Sequence, residues 1–150
     1  MKTVFDKATR IELVDRIAAL EGSYAAQWGK MNAYQMVRHC SLFDEWVLGK
    51  NNPVYRQAFI GRLFGRIALK GLLKDESPMK RNMPTTSDLV VKETDGNFLS
   101  EKAKWIALIE DYENYSNPAF VHDFFGRMTT EQIGFLAFKH TDHHLRQFSA

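Results

Sequence analysis

The chain of 150 residues is sparing in the features that mark secreted, membrane-spanning or nucleic-acid-binding proteins. A single cysteine, Cys40, leaves no partner for an internal disulfide, as is usual in a reducing compartment. The formal net charge is only +2, so no strong field attracts nucleic acid. No apolar run approaches the length of a membrane span, and no charged-then-apolar leader opens the chain. We therefore expect a cytoplasmic protein without stable membrane insertion and without a nucleic-acid partner.

Prolines are also few, and helical periodicity dominates between the breakers. Three capping-box pairs, Thr9/Glu12, Asn32/Gln35 and Thr129/Gln132, mark helix starts. The pattern predicts a single all-α domain over 1–150, a helical bundle. The predicted helices run from Thr9 to before Gly22, from Asn32 to near Gly49, from Tyr55 to Leu73, from Ser100 to Tyr115, and from Thr129 onward.

The least helical stretch, residues 75–97, has room for a short extended piece at 88–94. So long a connection is functional, mobile, or the crossover that a bundle needs between non-adjacent helices. In the helix before it, Arg62, Arg66, Lys70 and Lys74 form a basic stripe, which we interpret as a solvated face rather than an anion or membrane site. The opposite side of that helix suits close packing through Gly61, Phe64, Gly65, Ala68 and Leu72.

The second helix directs one histidine inward. At 100° per residue, its buried arc contains Met36, His39, Cys40, Phe43, Trp46 and Val47. Outside that arc lie Arg38, Ser41, Asp44 and Glu45. His39 then needs a partner for its ring nitrogens, because a buried unpaired imidazole is costly.

The last helix carries a second histidine group. Its inward arc contains Ile133, Ala137, His140, His144 and Gln147, with His143 at the edge. The opposite side holds Glu131, Lys139, Asp142 and Arg146.

An H-x-x-x-H pair alone is weak evidence, since helices carry such pairs by chance. Here His39 joins His140 and His144, and one metal ion would satisfy all three buried rings at once. The sequence thus predicts a mononuclear site with an open face, suited to zinc or nickel, or to iron or copper. Structural histidines in a metal-free bundle are the alternative.

Three further segments lead to a family. Trp28-Gly-Lys-Met31 precedes Met36-Val-Arg-His39, an aromatic loop runs from His122 to Gly126, and the chain closes on Lys139-His140-x-x-His143-His144-x-x-Gln147-Phe148. With these motifs the chain resembles the DinB/YfiT-like superfamily of metal-binding four-helix bundles, in the branch called domain of unknown function 1569.

The resemblance implies a four-helix bundle with a long crossover, often a homodimer, and a divalent metal on His39, His140 and His144. One departure is Arg146, where superfamily enzymes often have glycine before the final glutamine. Some members are S-transferases or isomerases that use low-molecular-weight thiols such as bacillithiol or mycothiol. By this analogy we expect a metal-dependent thiol transferase that joins a small thiol to an electrophile.

The competing hypothesis is a non-enzymatic metal-binding or stress-response interaction protein. A fourth ligand such as His122, with no adjoining pocket, would favour it. Gln147 is predicted to hydrogen-bond a bound group, or else the backbone. His122 and Asp123 would act as acid, base or support for the site, or simply anchor their loop. Cys40 is expected to be a buried, apolar thiol rather than a nucleophile.

Overall fold

A computed structural model describes residues 1–150, and its regular elements are all helical. The α-helices are α1 (Lys7–Ala18), α2 (Ala33–Leu48), α3 (Phe59–Leu72), α4 (Phe98–Asp111) and α5 (Thr130–Gln147). Two short 3-10 turns, Ser87–Leu89 and Tyr112–Asn114, complete the set, and there is no strand. The predicted all-α class is confirmed. None of the helices combines the length and apolar character needed to cross a bilayer.

Two of the three predicted capping boxes are present. Asn32 accepts a hydrogen bond from the Gln35 backbone at 2.8 Å, and Thr129 accepts one from that of Gln132 at 3.2 Å. The Thr9 box is wrong, because α1 begins at Lys7 and Thr9 is buried inside its first turn. Local side-chain chemistry therefore fixes the starts of α2 and α5, the two helices that carry the candidate histidines.

The other boundaries differ from prediction by a few residues. α3 begins at Phe59 instead of Tyr55, because Ala58 N–H donates to the Asp123 carbonyl at 2.7 Å and holds the preceding segment against the aromatic loop. α4 begins at Phe98, capped by the Asn97 side chain. The piece expected at 88–94 forms no strand, and it overlaps a 3-10 turn.

Four of the helices share one core. α2 packs against α4 and α5, and α1 packs against the same two helices. Their largest fully buried side chains include Leu13, Ile17, Met36, Trp105, Ile109 and Leu145. This core holds α2 beside α5 and so sets the distance between His39 and the two histidines of the last helix.

Asp44 is the main exception to the predicted faces of α2. It was placed outside the buried arc, but it is fully buried because α4 covers that side of the helix. Its carboxylate accepts hydrogen bonds from Trp105 Nε1 at 3.0 Å and from the Tyr112 hydroxyl at 2.7 Å. Burial outweighs these bonds and raises the pKa of Asp44 to about 7. Ser41, also placed outside, is buried and donates to the Val37 carbonyl at 3.1 Å.

α3 contributes Leu69 to this core and otherwise rests on the aromatic loop. A Cβ added at Gly61 or Gly65 would overlap the Phe124 carbonyl oxygen, so only glycine allows this approach. The predicted close packing of both glycines is confirmed, whereas Phe64 and Ala68 are exposed rather than packed. The basic stripe is exposed, as predicted. Beside it lies an exposed apolar face made of Phe59, Ile60, Leu63, Phe64 and Ile67.

Replacing Asp44 with asparagine is expected to change how stability depends on pH. In the folded protein the Asp44 pKa is about 7, against 3.8 in the unfolded chain, so the folded state holds a proton that the unfolded state has lost between these values. The carboxyl group thus costs stability as pH rises through this window, by up to about 1.4 kcal/mol per pH unit. Asp44→Asn, which can still accept from Trp105, should gain stability relative to the native protein from pH 4 to pH 7.

Urea denaturation across that range measures the difference. Asp95→Asn, which removes an exposed carboxylate, is the matched control. A native-minus-Asp44→Asn difference that stays constant with pH would contradict the assignment.

Candidate metal centre

Three histidines from two helices converge at one point in the core. His39 of α2 and the pair His140 and His144 of α5 are all buried, and one ring nitrogen from each lies within 4.8 Å of the others. The two α5 rings meet edge to face, with centroids 4.7 Å apart, as neighbours four residues apart on one helix face. The group can hold a metal ion.

The crossover orients His39. Its Nδ1 lies 2.8 Å from the carbonyl oxygen of Leu89, a buried residue in the 3-10 turn. A carbonyl only accepts, so the proton is on Nδ1 and the lone pair is on Nε2. The connection over residues 75–97, whose role the sequence left open, thus supplies the hydrogen bond that selects the tautomer of His39.

Gln147 orients His144 in the same way. His144 Nδ1 donates to Gln147 Oε1 at 2.9 Å, while the amide nitrogen of Gln147 donates to the Trp28 carbonyl at 2.8 Å. Both ends of the amide therefore have partners within the protein. Gly29, at φ +83°, leaves room for this amide, because a Cβ there would lie 2.7 Å from its nitrogen. That Gln147 also hydrogen-bonds a bound group stays a prediction.

His140 is the least satisfied of the three. Its ring stacks on Phe43, with centroids 3.8 Å apart, and its Nε2 lies 3.1 Å from Nε2 of His39. Because the latter atom carries no proton, His140 Nε2 is the donor in this contact, and its Nδ1 is left buried without a partner. Hydrogen bonds within the protein thus leave one ring nitrogen of the group, His140 Nδ1, unsatisfied.

Burial keeps all three rings neutral near pH 7. Burial is the largest cause of the pKa shift of each ring. It lowers the pKa of His39, lowers that of His140 far below its usual range, and brings that of His144 to about 3. Neighbouring imidazoles lower the values for His140 and His144 further. Neutral imidazole is the form that binds metal, so the charge state of all three rings is compatible with metal binding at neutral pH.

Of the four residues placed on the outer side of α5, Glu131 and Arg146 are exposed as predicted, but Lys139 and Asp142 are buried. Lys139 donates through Nζ to the carbonyls of Leu72 and Ser77, each at 2.8 Å, and so caps the end of α3. Asp142 pairs with Arg16 at 2.8 Å and with Arg146 at 2.7 Å. The assignment of these two residues to an exposed face was wrong, because α1 and the segment after α3 cover them.

His122 lies outside the three-histidine group and belongs to the aromatic loop. Its Nδ1 accepts the backbone N–H groups of Phe124 and Phe125, at 3.1 and 3.2 Å, so the neutral ring carries its proton on Nε2. Asp123 Oδ1, 2.9 Å from the same Nδ1, accepts the Phe124 N–H as well. Both side chains thus hold the loop in shape, and His122 keeps a free donor.

Two cavities, each of about 440 Å³, meet at the histidines. The first, here called the polar cavity, has 7 hydrophobic residues among 17 and touches all three histidines as well as Trp28, Lys30 and Gln147. The second, the apolar cavity, has 12 among 18 and reaches His140 and His122. Both cavities share the segment from Met79 to Leu89, which lies in the connection whose length left a functional role open. Its composition did not indicate that it lines the site.

Cys40 takes no part in the site. The thiol is fully buried against Met36, with 3.8 Å between the sulfurs, and burial raises its pKa well above the usual value. A thiol that resists ionisation is a poor nucleophile, as expected for a small apolar core residue.

Fold and site together define an all-helical protein with a buried three-histidine group able to hold a metal ion. A family model described as "Protein of unknown function (DUF1569)" matches residues 6–150, and the chain belongs to that family. No curated protein and no solved structure matches the chain.

Replacing Gln147 with alanine should weaken metal binding without abolishing it. Loss of the acceptor frees the His144 ring to turn, and removing such outer partners typically costs about 10- to 100-fold in affinity. Gln147→Glu keeps an acceptor for Nδ1 but sets a carboxylate oxygen against the Trp28 carbonyl, so its affinity should lie between those of the native and alanine proteins. Competition for Zn²⁺ with a chromogenic chelator gives the dissociation constants. Equal affinity in native and alanine proteins would show that Gln147 does not position His144.

Proposed function

We propose that this protein is a DinB-like four-helix bundle that binds one divalent metal ion through His39, His140 and His144 and acts as a metal-dependent thiol transferase. One observation carries the proposal: two separate cavities adjoin the histidine group and share His140, and only one of them has a lysine in its lining. A transfer reaction needs two substrates side by side, whereas hydrolysis needs only one besides water.

The donor set fits a divalent ion. Three neutral imidazoles approach each other, with 3.1 Å between Nε2 of His39 and Nε2 of His140. Nitrogens bound to tetrahedral zinc are separated by about 3.4 Å, given metal–nitrogen distances of about 2.0–2.1 Å. Bringing three nitrogens that lie within 4.8 Å of one another to this separation requires ring rotation, and His140 must carry its proton on Nδ1 to offer the lone pair of Nε2. Leu89 and Gln147 already hold the other two rings in the required tautomer. Zinc or nickel suits such nitrogen ligands best, and iron or copper is compatible.

The polar cavity suits the thiol. Trp28 and the cationic side chain of Lys30 line it, and Trp28 Nε1 is buried without a partner in the protein. These groups match the amide and carboxylate groups of low-molecular-weight thiols such as bacillithiol. A thiol seated there has its sulfur beside the histidines.

Three neutral ligands leave a bound ion its full charge, and such an ion ionises a coordinating thiol. In the transfer, the thiol loses its proton to solvent and its sulfur forms a bond to an electrophilic carbon. The bond from that carbon to the leaving group breaks, and the leaving group takes both electrons. His122 Nε2–H lines the apolar cavity and can donate a hydrogen bond to the departing group.

The alternative is a non-enzymatic metal-binding or stress-response interaction protein. A fourth protein ligand and a closed site would support this alternative. His122, however, lies outside the histidine group, and both cavities adjoin the group. The homodimer implied by the resemblance is also a proposal. The exposed apolar face of α3 is a surface of the kind that subunits bury.

Tag-free protein purified without chelator should contain about one metal equivalent per chain by elemental mass spectrometry. His39→Ala and His144→Ala should lose it, because two ligands hold a divalent ion poorly. His143→Ala is the matched control, since this ring lies on the same helix but outside the group. Metal retained in the His144→Ala protein would refute the ligand set.

The metal-loaded protein should consume a small thiol in the presence of an electrophile with a leaving group, such as 1-chloro-2,4-dinitrobenzene. The rate should fall by at least tenfold in His144→Ala, while circular dichroism shows an intact helical fold. Bacillithiol, mycothiol and glutathione are the thiols to compare. Full metal occupancy with no thiol-dependent turnover for any electrophile would favour the non-enzymatic alternative.

A further inference from the structure

We propose that the apolar cavity is the binding site for the second substrate, and that this substrate is an uncharged molecule with an aromatic or alkyl body. The inference rests on the proposed transfer reaction and adds the class of acceptor to it. The cavity lies between α3, the aromatic loop and the segment from Met79 to Leu89. Its aromatic walls are Phe43, Trp46, Phe124 and Phe125.

Size and walls suit a compact ring system. A volume of about 440 Å³ lies within the range of about 300–1,000 Å³ that is usual for drug-sized ligands. Phe43 stacks on His140, and Trp46 meets His122 edge-on with centroids 5.1 Å apart. Aromatic side chains therefore surround both histidines, and they favour flat apolar ligands through stacking and burial.

The charges of the lining select against anions. No lysine or arginine lines this cavity, and its one carboxylate is Asp123. A ligand carboxylate would lose its hydration here without gaining a cation, and Asp123 would repel it. The polar cavity differs because Lys30 is in its lining. The two cavities thus separate a charged thiol from an uncharged acceptor.

The part of the apolar cavity lined by His122 and His140 lies next to the histidine group, where transfer would occur. His140 lines both cavities, so a ligand in the apolar one reaches the edge of the histidine group. His122 offers its Nε2–H there, because the two backbone amides occupy Nδ1. A carbonyl, nitro or halide group on the ligand can accept this hydrogen bond, which places the electrophilic carbon near the histidines and the apolar body towards α3.

A matched pair of probes, 2-naphthamide and 2-naphthoate, tests the assignment by isothermal titration calorimetry on metal-free protein. The two have the same shape and differ in charge. Naphthamide should bind at least tenfold more tightly than naphthoate. His144→Ala should bind naphthamide within about threefold of the native protein, because His144 does not line this cavity.

Two variants locate the binding. Ala68→Trp places a large side chain in the lining from an exposed position on α3 and should weaken naphthamide binding at least tenfold. Ile67→Trp, exposed on the same helix but outside the lining, is the control and should leave binding unchanged. Asp123→Asn should narrow the preference for naphthamide over naphthoate.

Equal binding of the two probes, or an Ala68→Trp protein that binds normally, would overturn the inference. Binding of naphthamide that disappears in His144→Ala would assign the ligand to the histidine group instead and would also overturn it. Failure of the proposed function is a separate result: no metal uptake, with naphthamide still bound in the cavity.

Discussion

The site depends on two hydrogen bonds that fix the protons of His39 and His144. Leu89 lies 50 residues from the first ring along the chain, and the amide of Gln147 is held by the carbonyl of Trp28, 119 residues away. Each bond forces a lone pair onto the ring nitrogen that is not engaged. The orientation of these two rings therefore depends on the crossover, on the segment before α2 and on the end of α5, in addition to the helices that carry the histidines.

The helical pattern was enough to predict the main features of the fold and the candidate histidines. Asn32 and Thr129 carry cap side chains whose partners lie three residues away, so both helix starts can be read locally. The arcs of α2 and α5 correctly placed His39, His140 and His144 inside, because residues four apart share a face whatever surrounds the helix. These inferences needed only short-range geometry.

Errors arose where a helix is buried on more than one side. Asp44, Lys139 and Asp142 belong to helix faces that an isolated helix in water would expose, yet neighbouring segments cover all three. Asp44 accepts a hydrogen bond from Trp105, Lys139 donates to two backbone carbonyls, and Asp142 pairs with two arginines. Leu89 was missed for a related reason, since its contribution is a backbone carbonyl and any side chain could accompany it. Periodicity reports the polarity of side chains, not which tertiary neighbour will pair with them.

The glycine contacts beneath α3 have an evolutionary consequence. Gly61 and Gly65 set this helix directly on the Phe124 backbone, while the histidines and their partners belong to other segments. Mutations at Ile60, Ala68 or Leu72 can therefore reshape the outer wall of the apolar cavity and leave the histidine group untouched. Substitutions in one peripheral helix can thus alter the shape of this cavity among related chains, provided that the two glycines keep the helix seated on the aromatic loop.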